Sequence, residues 1–395
     1  ELNDVSHLIG EYFVIDPEGK KVGKKEVKHW NTSLATLTYA LDKNALIVGE
    51  PGFAKTTGVK VLSSMLSGFP LDLYEAAQIQ GHPDQTYETM IARLDFSKLK
   101  EEESVIWLLS AYLPVKVIDE INRLPPGNQD ELLNTLQTGR FNYLNSTLFT
   151  GVTPFYATAN HPDDGNHVLI PPMRDRFTIH FEMGHIGATY RSKIKVGREN
   201  INELLTNSEI SGNIINIINN SKYSVKEKLE QIDAARLDFV ANLESDNVGV
   251  KPFYRHDVEN IQSEVENIPL STEADILIEI IDKELNYTPT FGRKRSSDRI
   301  DSSNHAKKLA SSSAKNAFSP RAAIDGLELM SKGVAYLLAD KEVRKEHLRA
   351  VAPHVLGHRL EFTPDFAAAH EGTPRAGLYG CSKEMHLSQM LIKGV

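Results

Sequence analysis

The chain has 395 residues, a formal net charge of −9, 41% hydrophobic and 25% charged residues. This composition fits a soluble globular protein of two or three domains. It contains no apolar run near the ~18 residues of a membrane span, and its surplus of acid argues against general coating of nucleic acid.

A single cysteine, Cys381, excludes an internal disulfide and fits a reducing compartment. No apolar leader opens the sequence, which starts at Glu1 rather than Met. The expected location is therefore cytoplasmic, with some residues expected to precede Glu1. Glu11 to Ile15 is expected as a short strand, ending in a turn at Asp16-Pro17-Glu18-Gly19. A helix is expected over roughly 25–41, with Val27, Leu34, Leu37 and Leu41 on one face.

The stretch Asn44 to Thr57 reads as a buried strand, a glycine-containing turn and the first turn of a helix. Ala45 to Val48 is continuously apolar, as in a parallel strand covered on both faces. Gly49 and Gly52 allow backbone conformations closed to side chains. The loop Gly49, Glu50, Pro51, Gly52, Phe53, Ala54 can thus converge its backbone N–H groups on a phosphate, at the positive end of the following helix. Lys55 would reach the β/γ-phosphates, and the Thr56 hydroxyl, followed by Thr57, would sit on Mg²⁺. Ala54 stands where the strict G-x-x-x-x-G-K-[ST] pattern has its second glycine, although alanine resists positive φ.

A helix bearing Val59, Val61, Leu62, Met65 and Leu66 should follow. Leu71 to Ile79 is expected as a strand, broken by Gln80-Gly81-His82-Pro83-Asp84, and residues 86–112 stay open between helix and hairpin. Val115 to Glu120 is an apolar strand ending in two acids, at the strand end where open α/β sheets bind ligands. Asp119 would hold Mg²⁺, and Glu120 would orient and activate the water that attacks the γ-phosphate. The two side chains point to opposite faces of a strand. Asp130 to Leu136 reads as a helix and Phe141 to Thr153 as a hairpin. Phe155 to Asn160 is a third buried strand. Its terminal Asn160 either meets the γ-phosphate or attacking water, or opens a turn before His161-Pro162. Met173-Arg174-Asp175-Arg176 leads into a strand at Phe177 to Phe181. Strands and helices alternating in this way imply a parallel sheet.

Beyond residue 190 the pattern is helical, at Ile201 to Ile218, Val225 to Leu243, Asp257 to Val265 and Glu273 to Leu285. Residues 291–313, rich in Ser with Arg293, Lys294, Arg295 and Arg299, read as a mobile solvated loop. No aromatics interleave those charges, which disfavours a nucleic-acid patch. Ser319-Pro320-Arg321 starts a helix, with Ser as N-cap and Pro at the first position. Arg321 opposes the helix dipole there, a misfit that points either to function or to a surface ion pair. His354 and His358 are spaced i, i+4 with no third ligand adjacent, and are read as solvated or core histidines. The tail from Glu361 shows no assignable pattern.

In order along the chain these motifs resemble the MoxR branch of the AAA+ ATPases. The similar pieces are Val22-Gly23, Gly49 to Thr56, Asp119-Glu120-Ile121-Asn122-Arg123-Leu124-Pro125-Pro126, Ala157 to Asn160, Asp175-Arg176-Phe177, Ser319 to Ala322 and Val351 to Leu356. That family also places alanine before the lysine. The resemblance implies an α/β fold, an AAA+ αβα nucleotide-binding core with a parallel sheet of order 5-1-4-3-2, plus an α-helical lid. It implies ATP and Mg²⁺ at the interfaces of a homo-oligomeric ring, commonly a hexamer. By motif position Asn160 corresponds to sensor 1, Arg321 to sensor 2, and Arg176, with Arg174 as rival, to an arginine finger serving the neighbour's ATP. The implied organisation is an N-terminal segment (1–21), a core (22–190), a helical insertion (191–255), a lid (256–360) and a tail (361–395). Gln80-Gly81-His82 and the long span before Arg321 depart from the family pattern.

The resemblance implies ATP-driven, chaperone-like remodelling of a client protein, such as metal-centre insertion, with a von Willebrand factor A domain protein as a candidate partner. A nucleic-acid motor is the first alternative; only Arg140 accompanies the 141–153 hairpin, and the chain is acidic. A nucleotide-gated scaffold without turnover is the second, and has no use for Glu120.

Overall fold

Five short strands assemble into one parallel sheet. They are β1 (Ala45–Gly49), β2 (Ile79–Gln80), β3 (Lys116–Asp119), β4 (Phe155–Ala159) and β5 (Ile179–Met183). The lateral order is β5-β1-β4-β3-β2, with every neighbouring pair parallel. This is the 5-1-4-3-2 order expected. All five residues of β4 are buried, which explains why the central strand is apolar on both faces. The computed structural model describes residues 19–95, 105–161, 167–184, 203–245, 251–290, 292–294, 309–315, 318–371 and 383–394, with isolated positions besides. The expected strand at Glu11 to Ile15, Arg295, Arg299 and Cys381 lie outside the described residues.

Helices α1 (Trp30–Ala40), α2 (Lys55–Ser67), α3 (Leu71–Ala76), α4 (Pro126–Thr138) and α5 (Pro171–Arg176) accompany the sheet. The first of these starts later than its periodicity suggests. Residues 25–27 form a strand paired antiparallel with 20–22. Gly23 turns that hairpin at φ +61, and His29 at φ 48 separates it from α1. The expected strand at Leu71 to Ile79 is instead α3 followed by the short β2. Pro70 leads into α3, which buries Leu71, Leu73 and Tyr74; over so few residues such spacing does not separate helix from strand. Residues 86–112 contain both open possibilities. Short helices at 87–90 and 109–112 flank a hairpin of Ala92–Leu94 with Val105–Trp107. The 141–153 hairpin pairs Arg140–Tyr143 with Ser146–Phe149, and β5 lies two residues later than expected.

The C-terminal part is helical: α6 (Ser208–Asn219), α7 (Val225–Ser245), α8 (Arg255–Glu266), α9 (Thr272–Asn286), α10 (Leu329–Leu337) and α11 (Lys345–Leu356). The unassigned tail supplies α12 (Pro364–Glu371) and α13 (Lys383–Gly394), the latter packed on α11. Ser319 is an N-cap, its Oγ accepting the Ala322 N–H at 3.1 Å. A π-helical stretch, Ala322–Glu328, follows rather than a regular turn. Gly326 in it meets α11 so closely that a Cβ would stand 2.5 Å from Val355 Cγ1. Lys294, expected on a solvated loop, is buried. The Lys294 ammonium donates to the carbonyls of Ser311 and Ala314, and Asp301 accepts the N–H groups of Thr290 and Ser303. No helix among the described residues is long and apolar enough to cross a membrane.

Histidines lock α11 onto the sheet. The Trp30 indole N–H donates to His354 Nε2 at 2.7 Å, so His354 carries its proton on Nδ1 and donates it to the His180 carbonyl at 2.9 Å. His358 donates from Nε2 to the Phe177 carbonyl at 2.8 Å, and its Nδ1 faces His180 Nδ1 at 3.2 Å. These are core histidines. Burial lowers His354 to about 3, and burial, with the charges of Arg359, His180 and Arg174, holds His358 well below the usual histidine range. A depressed folded pKa means the unfolded chain binds the proton first. Stability is thus complete above the unfolded value of about 6.5 and falls as pH drops toward the folded values. The expected loss is about 1.4 kcal/mol per pH unit for each of the two histidines. Urea midpoints at neutral pH and one unit below 6.5 check this; equal midpoints would exclude neutral buried imidazoles.

Candidate nucleotide site

All five strands run the same way, so their carboxyl ends share one edge of the sheet. On that edge β1 delivers the loop from Gly49 to Ala54. Gly52 has φ +84, and Ala54 takes the left-handed region at φ 56 despite its Cβ. That conformation costs an L-residue about 1–2 kcal/mol, and it turns the loop N–H groups into an anion-binding concavity. Gly49 is required for another reason: a Cβ there would stand 2.4 Å from the Met183 carbonyl on β5.

The structure brings Lys55, Thr56, Asp119, Glu120 and Asn160 into one network. The buried Lys55 ammonium donates to the carbonyls of Gly49 and Glu50 at 2.8 Å each and to Asn160 Oδ1 at 2.9 Å. All three of its donors are therefore engaged. Burial lowers the Lys55 pKa, against the opposing pull of Asp119, Glu120 and Glu50. Asn160 continues the chain, donating from Nδ2 to Glu120 Oε1 at 2.7 Å. Beside it, the hydroxyls of Thr56 and Thr158 both donate to Asp119 Oδ1 at 2.5 Å. Among the described residues no group of three or more His, Cys, Asp or Glu side chains could hold a metal. A hydroxyl and one carboxylate nevertheless suit Mg²⁺, which is commonly held by one or two carboxylates together with phosphate oxygens and water. Pro51, Gly52 and Thr57 are exposed.

Glu120 departs from its expected geometry. The strand ends at Asp119, and Glu120 turns left-handed at φ 50. The alternation that would send the two acids to opposite faces therefore stops one residue short. The Glu120 N–H donates to Thr158 Oγ1 at 3.0 Å, so one hydroxyl serves both acids. Room for this turn comes from Gly81, where a Cβ would stand 2.1 Å from the Glu120 carbonyl.

Four participants escape a reading of motifs. Thr158 lies two residues before Asn160, and period-2 alternation along a strand is the signal that would have placed it with that residue. Gln80 donates to Glu120 Oε2 at 3.2 Å and Gln78 to Asp119 Oδ2 at 3.0 Å, from a segment that stood out only as a departure from family pattern. Asn122 donates to the Asn160 carbonyl at 3.1 Å and fixes the end of β4.

The arginines are elsewhere. Asn44, just before β1, donates to the Arg176 carbonyl at 3.0 Å, which puts α5 at the amino ends of the strands. Five strand residues at about 3.3 Å each separate that end from the phosphate loop by about 16 Å. Arg176 donates to the Pro172 carbonyl and to Gln137 Oε1, while Arg174 pairs with Glu361 at 2.9 Å. Arg321 is not brought to the phosphate loop. It pairs with Asp175 Oδ2 at 2.9 Å, and Ser319 and Arg359 converge on the same carboxylate. Arg176 and Arg321 are close enough that burial and the Arg321 charge both lower the Arg176 pKa.

Residues 44–177 match the family model of the AAA domain, dynein-related subfamily. No curated protein matches the chain. Among solved structures the fold is similar to that of a candidate ATPase from Cytophaga hutchinsonii, with a TM-score of 0.62 and 18% identity, over 100% of this chain and 94% of that one. The likeness is one of fold: an AAA+ αβα core with a parallel sheet, followed by a helical region.

Proposed function

We propose that this chain, with its AAA domain at 44–177, hydrolyses ATP at an interface between copies of itself and uses the cycle to remodel a client protein. The observation that carries the reading is the single network joining Lys55, Asn160 and Glu120, with Thr56, Asp119 and Thr158 beside it. Lys55 exchanges its loop carbonyls for β/γ-phosphate oxygens. Thr56 and Asp119 would hold Mg²⁺, which would supply positive charge against the phosphate oxygens. Glu120 takes up the proton of the attacking water, and Asn160 fixes the Glu120 carboxylate and polarises the same region.

Arg176 and Arg321 stand about 16 Å from their own phosphate loop, so any service to a triphosphate is to that of a neighbour. This supports a ring in which each site is completed across an interface. Motif order from Val22 to Leu356 supports the finer reading of a MoxR-type motor, commonly hexameric, with a von Willebrand factor A domain protein as a candidate partner. In this reading the core spans 22–190, the helical insertion 191–255 and the lid 256–360.

Thr158→Val tests the site without changing side-chain shape. It removes the hydroxyl that orients Asp119 and leaves the Glu120 N–H unpaired. Partners of metal ligands typically contribute 10–100-fold in affinity or activity. Wild-type chain should release phosphate from ATP in a Mg²⁺-dependent manner, and the variant should need at least about tenfold more Mg²⁺ for half-maximal rate. An unchanged Mg²⁺ response would remove Asp119 from the metal, and no phosphate release by the wild type would overturn the function.

A further inference from the structure

Helices α6 and α7 pack as a helical hairpin, and a groove of about 400 Å³ opens along their seam. The volume is that of a ligand cleft; such clefts are mostly apolar, whereas four amides and Asp238 line this one together with Ile217, Tyr223 and two alanines. Asn213, Asn216 and Asn220 fall at i, i+3 and i+7 along α6 and its cap, hence on one face. Gln231 and Asp238 face them from α7, seven residues apart, with Ala234 and Ala235 between. The side chains of Asn213, Asn216, Gln231 and Asp238 make no hydrogen bond among the described residues. Asn220 Oδ1 accepts the Lys222 N–H, which leaves its amide N–H groups for the groove.

A side-chain amide carries one acceptor and two donors, the same groups as a peptide bond. Along α6 these amides rise by about 4.5 and about 6 Å. An extended chain offers an N–H and a C=O every 3.3 Å or so, and repeats along one edge at about twice that. The two alanines keep the floor low enough for a main chain to lie close. No lysine or arginine lines the groove, so a polyanionic strand would find no counter-charge there. Asp238 instead supplies a carboxylate at one end.

We propose that this groove binds an extended peptide segment through its main chain, with a lysine or arginine side chain beside Asp238. The shelf is firmly attached. Arg236 on α7 donates to the Ser67 carbonyl at the end of α2 and to the Phe253 carbonyl, and Asp72 of α3 accepts the Asn207 N–H.

The test uses the full chain without nucleotide, so its failure is separate from failure of the hydrolytic reading. Fluorescence anisotropy follows a labelled, unstructured peptide of Gly, Ser, Thr and Lys. Saturable binding is expected, weakened about tenfold by Asn213→Ala with Asn216→Ala. Asp238→Asn should abolish the preference for that peptide over its glutamine-for-lysine counterpart. Ala234→Arg, at an exposed position, should block the groove outright, and melting curves verify that each variant folds. Absence of saturable peptide binding, binding indifferent to all three variants, displacement by a maltooligosaccharide, or tighter binding of an oligothymidylate would each overturn the proposal.

Discussion

Glu120→Gln should lower the rate of ATP hydrolysis by about 10²–10⁴-fold, the usual contribution of a positioned general base, while leaving nucleotide affinity within a few-fold of wild type. The shape of the side chain is kept, and so is one carbonyl oxygen to accept the Asn160 amide that now meets Glu120 Oε1 at 2.7 Å. What disappears is the basic oxygen. Lys55→Ala provides the contrast, because it removes the cation on the phosphates and should lose binding itself. A single-turnover experiment with bound ATP separates the two: the Glu120 variant retains unhydrolysed ATP, and the Lys55 variant retains none. Wild-type turnover by Glu120→Gln would transfer the role of base to another group and undo the assignment of the site.

This prediction concerns the part of the molecule most legible in sequence. β1 and β4 announce themselves by apolar runs and β3 by one interrupted at Lys116, and the sheet delivers the loop after β1, Asp119 at the end of β3 and Asn160 just after β4 to a common edge. Period and burial are local properties, and so they can be read locally. Residues 25–27 illustrate the opposite case. The hairpin they join rests on the conformation of Gly23 and on Lys25 reaching Asp340 at 2.7 Å, a partner 315 residues away. The first four residues of α3 look as much like a strand as a helix, and the decision is made by packing and by Asp72 accepting Asn207. Gln78 and Gln80 illustrate a third case. Their chemistry is visible, but their relevance appears only once β2 pairs with β3, setting Gln80 opposite Asp119. Arg321 shows the limit of motif position: the Ser-Pro-Arg signal gave the correct N-cap but not the end of the sheet at which the arginine stands.

That displacement leads to the second large effect. Arg176→Ala should reduce hydrolysis about 10³-fold or more, as removal of an arginine finger does, although the phosphate loop of the same protomer is untouched. Arg176 is tied by its own carbonyl to Asn44 at the amino end of β1, and Lys55 lies beyond the carboxyl end. A side chain cannot bridge about 16 Å of strand, so a contribution to hydrolysis from Arg176 would come across an interface. Mixing experiments expose this directly. Arg176→Ala protomers keep an intact loop, and Lys55→Ala protomers keep an intact arginine. Each alone should be inactive, whereas random co-assembly in equal amounts places an intact loop against an intact arginine at about a quarter of the interfaces. Activity should therefore reappear on mixing and rise with protein concentration. Arg174→Ala discriminates between the two neighbouring arginines: Arg174 is held by Glu361 at 2.9 Å, so its loss should cost far less than that of Arg176. If mixtures stay as inactive as their components, the arginine end serves only to hold the helical region against the core through Asp175, and hydrolysis would have to proceed without a contribution from a neighbour.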